Sequence, residues 1–108
     1  MTEPSLAPVF AALADPTRWD ILVRLAERPA SASALAAELP VSRQAVVKHL
    51  EVLRGAGLVE SAPRGREVVH RALGARLSGL ARELDRMGRA WDARLAALKQ
   101  LAEAPDQP

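Results

Sequence analysis

Along most of the chain, apolar positions return every three or four residues, the spacing that gathers them on one side of a helix. The first clear run, Trp19, Ile21, Leu22, Leu25 and Ala26, begins after Asp15-Pro16 and stops at Arg28-Pro29. Asp15 can accept from the free amides of a first turn, and Pro16 at the first helical position forfeits no bond the helix needs. A shorter run, Leu35, Ala36 and Leu39, follows a cap at Ser31 or Ser33 and breaks at Pro40-Val41. Ser42 then caps a third helix through roughly Arg54, with Ala45, Val46, His49, Leu50 and Leu53 inward. Gly55-Ala56-Gly57 closes it, where a glycine can take the left-handed conformation that ends helices.

Beyond Gly57 the period changes. Leu58-Val59-Glu60-Ser61 and Glu67-Val68-Val69-His70-Arg71 read as two short strands around Pro63-Arg64-Gly65-Arg66, a proline–glycine turn. From Arg76 to about Glu103 a single long helix is expected, with Leu77, Leu80, Leu84, Met87, Trp91, Leu95, Leu98 and Leu101 three and four apart. Residues 1–8 hold two prolines and no period, and read as a flexible arm that leads into a short helix over 9–14. Residues 104–108 are expected to form a disordered tail.

The second and third helices carry the most specific pattern. Leu35-Ala36, Leu39-Pro40-Val41-Ser42, Val46 and Leu50 fit a helix-turn-helix, which needs a small residue where its helices touch and apolar residues that lock them at a steep angle. Removing that inner face leaves Ser42, Arg43, Gln44, Val47, Lys48 and Glu51 pointing outward, most of them in the first two turns. A recognition helix enters the major groove of duplex DNA by that end. Ser42 and the helix amides suit a phosphate, Arg43 a guanine edge and Gln44 an adenine edge. Val47 can touch a thymine methyl, and Lys48 suits a phosphate. Arg64 and Arg66 at the hairpin tip are placed for phosphate or minor-groove contact. Two positions depart from the general motif. Pro40 stands where glycine is usual in the turn, and His49 where an aliphatic residue is usual.

Composition narrows the classes. The 108 residues amount to one domain, and a domain this small buries only about two-thirds of its unfolded surface. The Leu80, Leu84, Met87, Trp91, Leu95 stripe is too long for the rest of the domain to cover, so it is expected to form a homodimer interface. Net charge is only +2, but residues 42–76 hold seven basic and three acidic side chains, leaving the remainder at −2. Positive charge is thus concentrated where phosphates would pass. There is no cysteine, which rules out disulfides and thiolate metal sites within the chain. No apolar run approaches the roughly 20 residues of a membrane span, and the start lacks a signal-peptide layout. A cytoplasmic protein without membrane partners is the expectation. No Gly-rich phosphate loop, tyrosine or carboxylate pair beside a histidine offers catalysis a foothold, so an enzyme is not expected.

Taken together, Leu13-Ala14-Asp15-Pro16-Thr17-Arg18, Ile21-Leu22, Leu35-Ala36, Ser42, Val46, His49-Leu50, Leu53-Arg54, Ala56-Gly57-Leu58-Val59 and Gly65-Arg66 resemble the ArsR/SmtB family of winged helix-turn-helix transcription regulators. The resemblance runs from about Val9 to Leu101, and His49 is ordinary within it. It implies a mainly α fold with a small β-hairpin wing: a DNA-binding domain over 9–75 and a dimerisation helix over 76–103. It also implies a homodimer joined by its first and last helices, and a repressor released by a ligand, with the inducer, small molecule or protein, left open. Many members sense metals. Here Ser33–Leu39 has no cysteine, and the last helix has Glu83 and Asp85 but no histidine, so neither a metal site nor any other cofactor is expected. The Trp91-Asp92 to Leu98-Lys99 ending resembles the non-metal branch. The alternatives are a metal-responsive member of the same family, or an interaction module that kept the fold and lost DNA. Arg43, Gln44 and Lys48 speak against the second.

Overall fold

A computed structural model describes residues 7–103 of the chain. The elements run α1 (Ala7–Leu13), α2 (Pro16–Glu27), β1 (Ala30–Ser31), α3 (Ala32–Glu38), α4 (Arg43–Gly55), β2 (Val59–Arg64), β3 (Glu67–Ala72) and α5 (Gly74–Glu103). Residues 1–6 of the expected arm and the whole expected tail lie outside the described residues. Ala7 and Pro8, assigned to the arm on sequence, open α1 instead. The chain divides into two compact units after Arg76.

In the first unit, Val9 of α1, Ile21 and Leu25 of α2, Leu35 of α3, and Val46, Leu50 and Leu53 of α4 are buried, and Leu58 and Val59 close the core from the sheet side. Side chains of this kind each stabilise the fold by about 1.5–3 kcal/mol when fully buried. Trp19 departs from its inward-looking place in the sequence pattern, at 51% exposed. It sits two positions before Ile21, and on a 3.6-residue helix that puts it well round from the buried face.

The join between α1 and α2 explains the Asp-Pro-Thr-Arg sequence. Asp15 accepts from the amides of Thr17 (2.8 Å) and Arg18 (3.0 Å), capping α2. Arg18 reaches back, donating from Nε to the Ala12 carbonyl at 2.7 Å and from a terminal nitrogen to the Ala11 carbonyl. A guanidinium here bonds carbonyls at the end of α1, of which Ala11 also accepts from the Ala14 amide. Another Arg18 nitrogen lies 3.5 Å from Nδ1 of His49 on α4. Arginine has only donors, so this contact requires His49 to accept, which makes it a packing histidine.

The Arg18 amide, more than any other group, holds the Asp15 carboxyl below its ordinary value, with smaller help from the Thr17 amide and the His49 and Arg18 charges. A carboxylate whose folded value is depressed adds stability above its unfolded value and loses it as pH falls through the folded one. Asp15→Asn keeps an acceptor but not the charge. We expect it to be less stable than the parent at neutral pH, with the gap closing as denaturant titrations move below the carboxylate range. A gap that stays constant with pH would remove the charge from the account.

The helix-turn-helix is reached without glycine. Leu39 caps the end of α3 in an extended conformation, φ −117° and ψ 148°, the region to which a residue before proline is steered. The only positive φ values belong to Gly57 (77°) and Gly65 (64°) among the described residues. Pro40 therefore sets the turn by restricting Leu39. At the other end of α4, the amides of Gly57 and Leu58 donate to the carbonyls of Arg54 and Leu53, both at 3.0 Å. This is the glycine-closed Schellman ending, and its accompanying apolar pair, Leu53 and Leu58, is fully buried.

The sheet is antiparallel with order β1-β3-β2. Arg64 pairs with Glu67, so only Gly65 and Arg66 form the turn. Positive φ at the first of two turn residues is the II′ geometry that matches strand twist. The strand thus runs through Pro63, further than the sequence reading took it. Residues flanking a two-residue turn form the hydrogen-bonded pair, which makes Pro63–Val68 the non-bonded pair. The amide Pro63 lacks would face the open edge of β2, where proline is tolerated.

The second unit holds all but the first three residues of α5, which spans 30 residues, about 45 Å at 1.5 Å per residue. Glu83 pairs with Arg86, and Asp85 with Arg89 at 3.0 Å, along its polar side. Leu84, Met87, Trp91, Leu95, Leu98 and Leu101 are exposed.

Candidate nucleic-acid interface

Ser42 is the N-cap of α4, its hydroxyl accepting from the Ala45 amide at 3.1 Å. Val46, Leu50 and Leu53 anchor the helix in the core, and that registration turns Arg43, Gln44 and Lys48 outward, where all three are exposed. The outward face is itself divided. Arg43, Val47, Glu51 and Arg54, spaced four, four and three apart, face a cleft toward the hairpin. Gln44 and Lys48 stand clear of it. Arg43 donates from Nε to the Ser33 hydroxyl at 3.0 Å, a tie from α3 that the sequence did not disclose. Gln44 has no hydrogen-bonding partner among the described residues. Ser31, one of two candidate caps for α3, fills that role by accepting from the Ala34 amide at 3.1 Å, which leaves Ser33 free for Arg43.

The hairpin presents Arg64 and Arg66 on either side of Gly65, both exposed. They diverge, with Arg66 lining the cleft and Arg64 lying outside its lining. The hairpin is fixed to the core by His70, 7% exposed on the central strand and paired with Ala30 on one side and Ser61 on the other. Its Nδ1 lies 2.6 Å from the Ser61 hydroxyl. Burial first, and then the Arg54 charge, hold His70 below the ordinary histidine value, so it is neutral at neutral pH.

Of the residues expected at a dimer interface, Leu84, Met87, Trp91 and Leu95 are between 44% and 57% exposed, whereas Leu80 is already buried at 9%. Leu80 therefore has little surface left for a partner, and the open stripe begins at Leu84. Arg94 lies over the Trp91 ring at 5.3 Å, close enough for a cation–π contact. Among the described residues, no helix is long and apolar enough to cross a membrane, and no three His, Cys, Asp or Glu side chains gather as a metal site would need.

A helix pair with its second helix exposed beside a basic hairpin defines a winged helix-turn-helix, and this protein is a DNA-binding transcription regulator of that class. Residues 13–62 match the family model of a helix-turn-helix domain. The chain is 42% identical over 95 residues to the HTH-type transcriptional regulator Rv2034 of Mycobacterium tuberculosis, covering 88% of this chain and 86% of that protein. An ArsR-like transcriptional regulator from Rhodococcus sp. RHA1 superposes with a TM-score of 0.82 at 59% identity, over 93% of this chain and 94% of the other. The cadmium metal-sensor CMTR from Mycobacterium tuberculosis matches at 44% identity and a TM-score of 0.55, over 63% of this chain and 70% of its own. The chain belongs to the ArsR family of winged helix-turn-helix regulators.

Proposed function

We propose that the protein is a cytoplasmic, non-enzymatic repressor that binds an imperfect DNA palindrome as a homodimer. One α4 from each protomer enters the major groove, and the hairpin tips lie along flanking backbone. The observation that carries this reading is the exposure of Arg43, Gln44 and Lys48 on a helix whose opposite side buries Val46, Leu50 and Leu53. Ser42, Arg43, Gln44, Val47 and Lys48 form the groove-facing set, and Arg64 and Arg66 the wing contacts. The dimer rests on the exposed stripe from Leu84 through Met87 and Trp91 to Leu95, a contiguous apolar surface of the kind that marks association. The cadmium-sensor relative raises metal-triggered release as an alternative; thiolate capture of a soft metal lacks its ligands here, since the chain holds no cysteine.

Footprinting on fragments of the host genome tests the proposal. Two protected half-sites are expected about one DNA turn, roughly 34 Å, apart, and zinc, cadmium, nickel or arsenite should leave the affinity unchanged. Equal binding to every duplex would overturn sequence-specific repression. A stoichiometric loss of binding with one of the metals would restore the metal-sensing alternative.

A further inference from the structure

We propose that the cleft between α4 and the wing binds an amphipathic monocarboxylate, and that its occupation displaces DNA. The cleft encloses about 410 Å³, within the roughly 300–1,000 Å³ typical of small-molecule sites. One wall is apolar, with Val47 and Leu50 on α4 facing Val68 on β3. Three arginines, Arg43, Arg54 and Arg66, and two glutamates, Glu51 and Glu67, are the charged part of the lining. None of the five belongs to an ion pair among the described residues. The uncompensated charge is one positive unit, which matches a single carboxylate better than a phosphate dianion.

The polar end is also marked. His70 lines the cleft beside Arg54, whose charge reaches it. The Ser61 hydroxyl occupies Nδ1, so Nε2 is the ring nitrogen left for a ligand. No buried side-chain nitrogen or oxygen among the described residues lacks a partner, so Nε2 is not sealed in the core. In the tautomer in which Nδ1 accepts from the Ser61 hydroxyl, Nε2 carries the proton and can donate it to a carboxylate. A carboxylate between Arg54 and His70 lays its hydrocarbon body along Val47 and Val68. That body and DNA compete for the same Arg43, Val47 and Arg66, which makes the ligand an inducer. This consequence rests on the DNA-binding roles proposed above; the binding site itself does not.

The probe is octanoate, with octanamide as its uncharged match, in a two-dimensional amide NMR titration of the full chain without DNA. Octanoate is expected to saturate at one site per chain and to shift Val47, Val68 and His70. Octanamide, and octanoate on Arg54→Gln, should each bind about tenfold more weakly, as expected when a charge-assisted bond is removed. Arg28→Gln, on the loop after α2, should bind as the parent does. A second titration, against operator duplex, should show octanoate raising the apparent Kd for the parent at about tenfold lower concentration than for Arg54→Gln. No saturation at millimolar octanoate, equal binding of octanamide, or shifts confined to α5 would overturn the site. A chain that takes octanoate but binds no duplex keeps the site and removes the DNA reading. One that binds duplex and not octanoate does the reverse.

Discussion

Replacing Leu84 by glutamate is expected to turn the protein into a monomer at micromolar concentration in sedimentation equilibrium and to abolish operator binding at concentrations that saturate the parent. Leu84 is 44% exposed in the single chain, so a glutamate there is solvated in the monomer and the substitution costs the fold little. In a two-fold dimer the position lies in the interface of both protomers, and each substitution enters twice. Burying a carboxylate without a partner costs several kcal/mol. Even about 2 kcal/mol per protomer, counted twice, weakens dimerisation roughly a thousandfold. Operator binding falls with it, because a monomer brings one recognition helix and loses the effective concentration that makes the second half-site cheap to occupy. Leu84→Met, near in volume and apolar, should dimerise as the parent does. Leu80→Glu is a different experiment: that side chain is already buried within the chain, so its substitution tests folding. A dimeric Leu84→Glu protein would move the interface elsewhere.

The elements legible in the sequence are those whose signals are local. Asp15 and Pro16 start α2 by bonds within three residues, and Gly57 ends α4 by bonds within five. Such features need no knowledge of the rest of the chain. Non-local ones were hidden. Two-residue β1 exists only because Ala30 and Ser31 meet His70 and Val69 across the sheet. Pro63 read as part of the turn because its tolerance in a strand depends on which side of β2 lacks a neighbour. Leu80 and Leu84 are indistinguishable by spacing, yet one is buried and the other is not.

The candidate site shows the same division. That Gln44 and Lys48 face outward follows from the period of α4 alone. That Arg43 leans on Ser33, and that Arg54 and Arg66 face one cleft with His70, requires α3, α4 and the hairpin to be assembled first. The sequence pattern grouped Arg43 with Gln44 as equal readers of bases. The structure separates them, because Arg43 is partly engaged before DNA arrives and Gln44 is not.

That separation sharpens the other large expectation, that Gln44 specifies sequence whereas Arg66 supplies affinity of any sequence. Gln44 stands on the exposed first turn of α4, the end proposed to enter the groove, and no partner among the described residues competes for its amide. Its removal in Gln44→Ala should cost about 1–3 kcal/mol per half-site on the operator and almost nothing on scrambled duplex, leaving the salt dependence as it was. Arg66 stands at a hairpin tip, exposed and outside any ion pair among the described residues, where backbone phosphates are expected to pass. Arg66→Ala should weaken operator and scrambled duplex alike and flatten the slope of log affinity against log salt by about one unit for each phosphate it leaves unneutralised. Arg43→Ala is expected between the two, since breaking its bond to Ser33 offsets part of what a base contact returns. Binding isotherms for the three variants, on both duplexes and at several salt concentrations, separate these roles. If Gln44→Ala weakened both duplexes equally while Arg66→Ala harmed only the operator, the wing would be the reader and α4 the clamp.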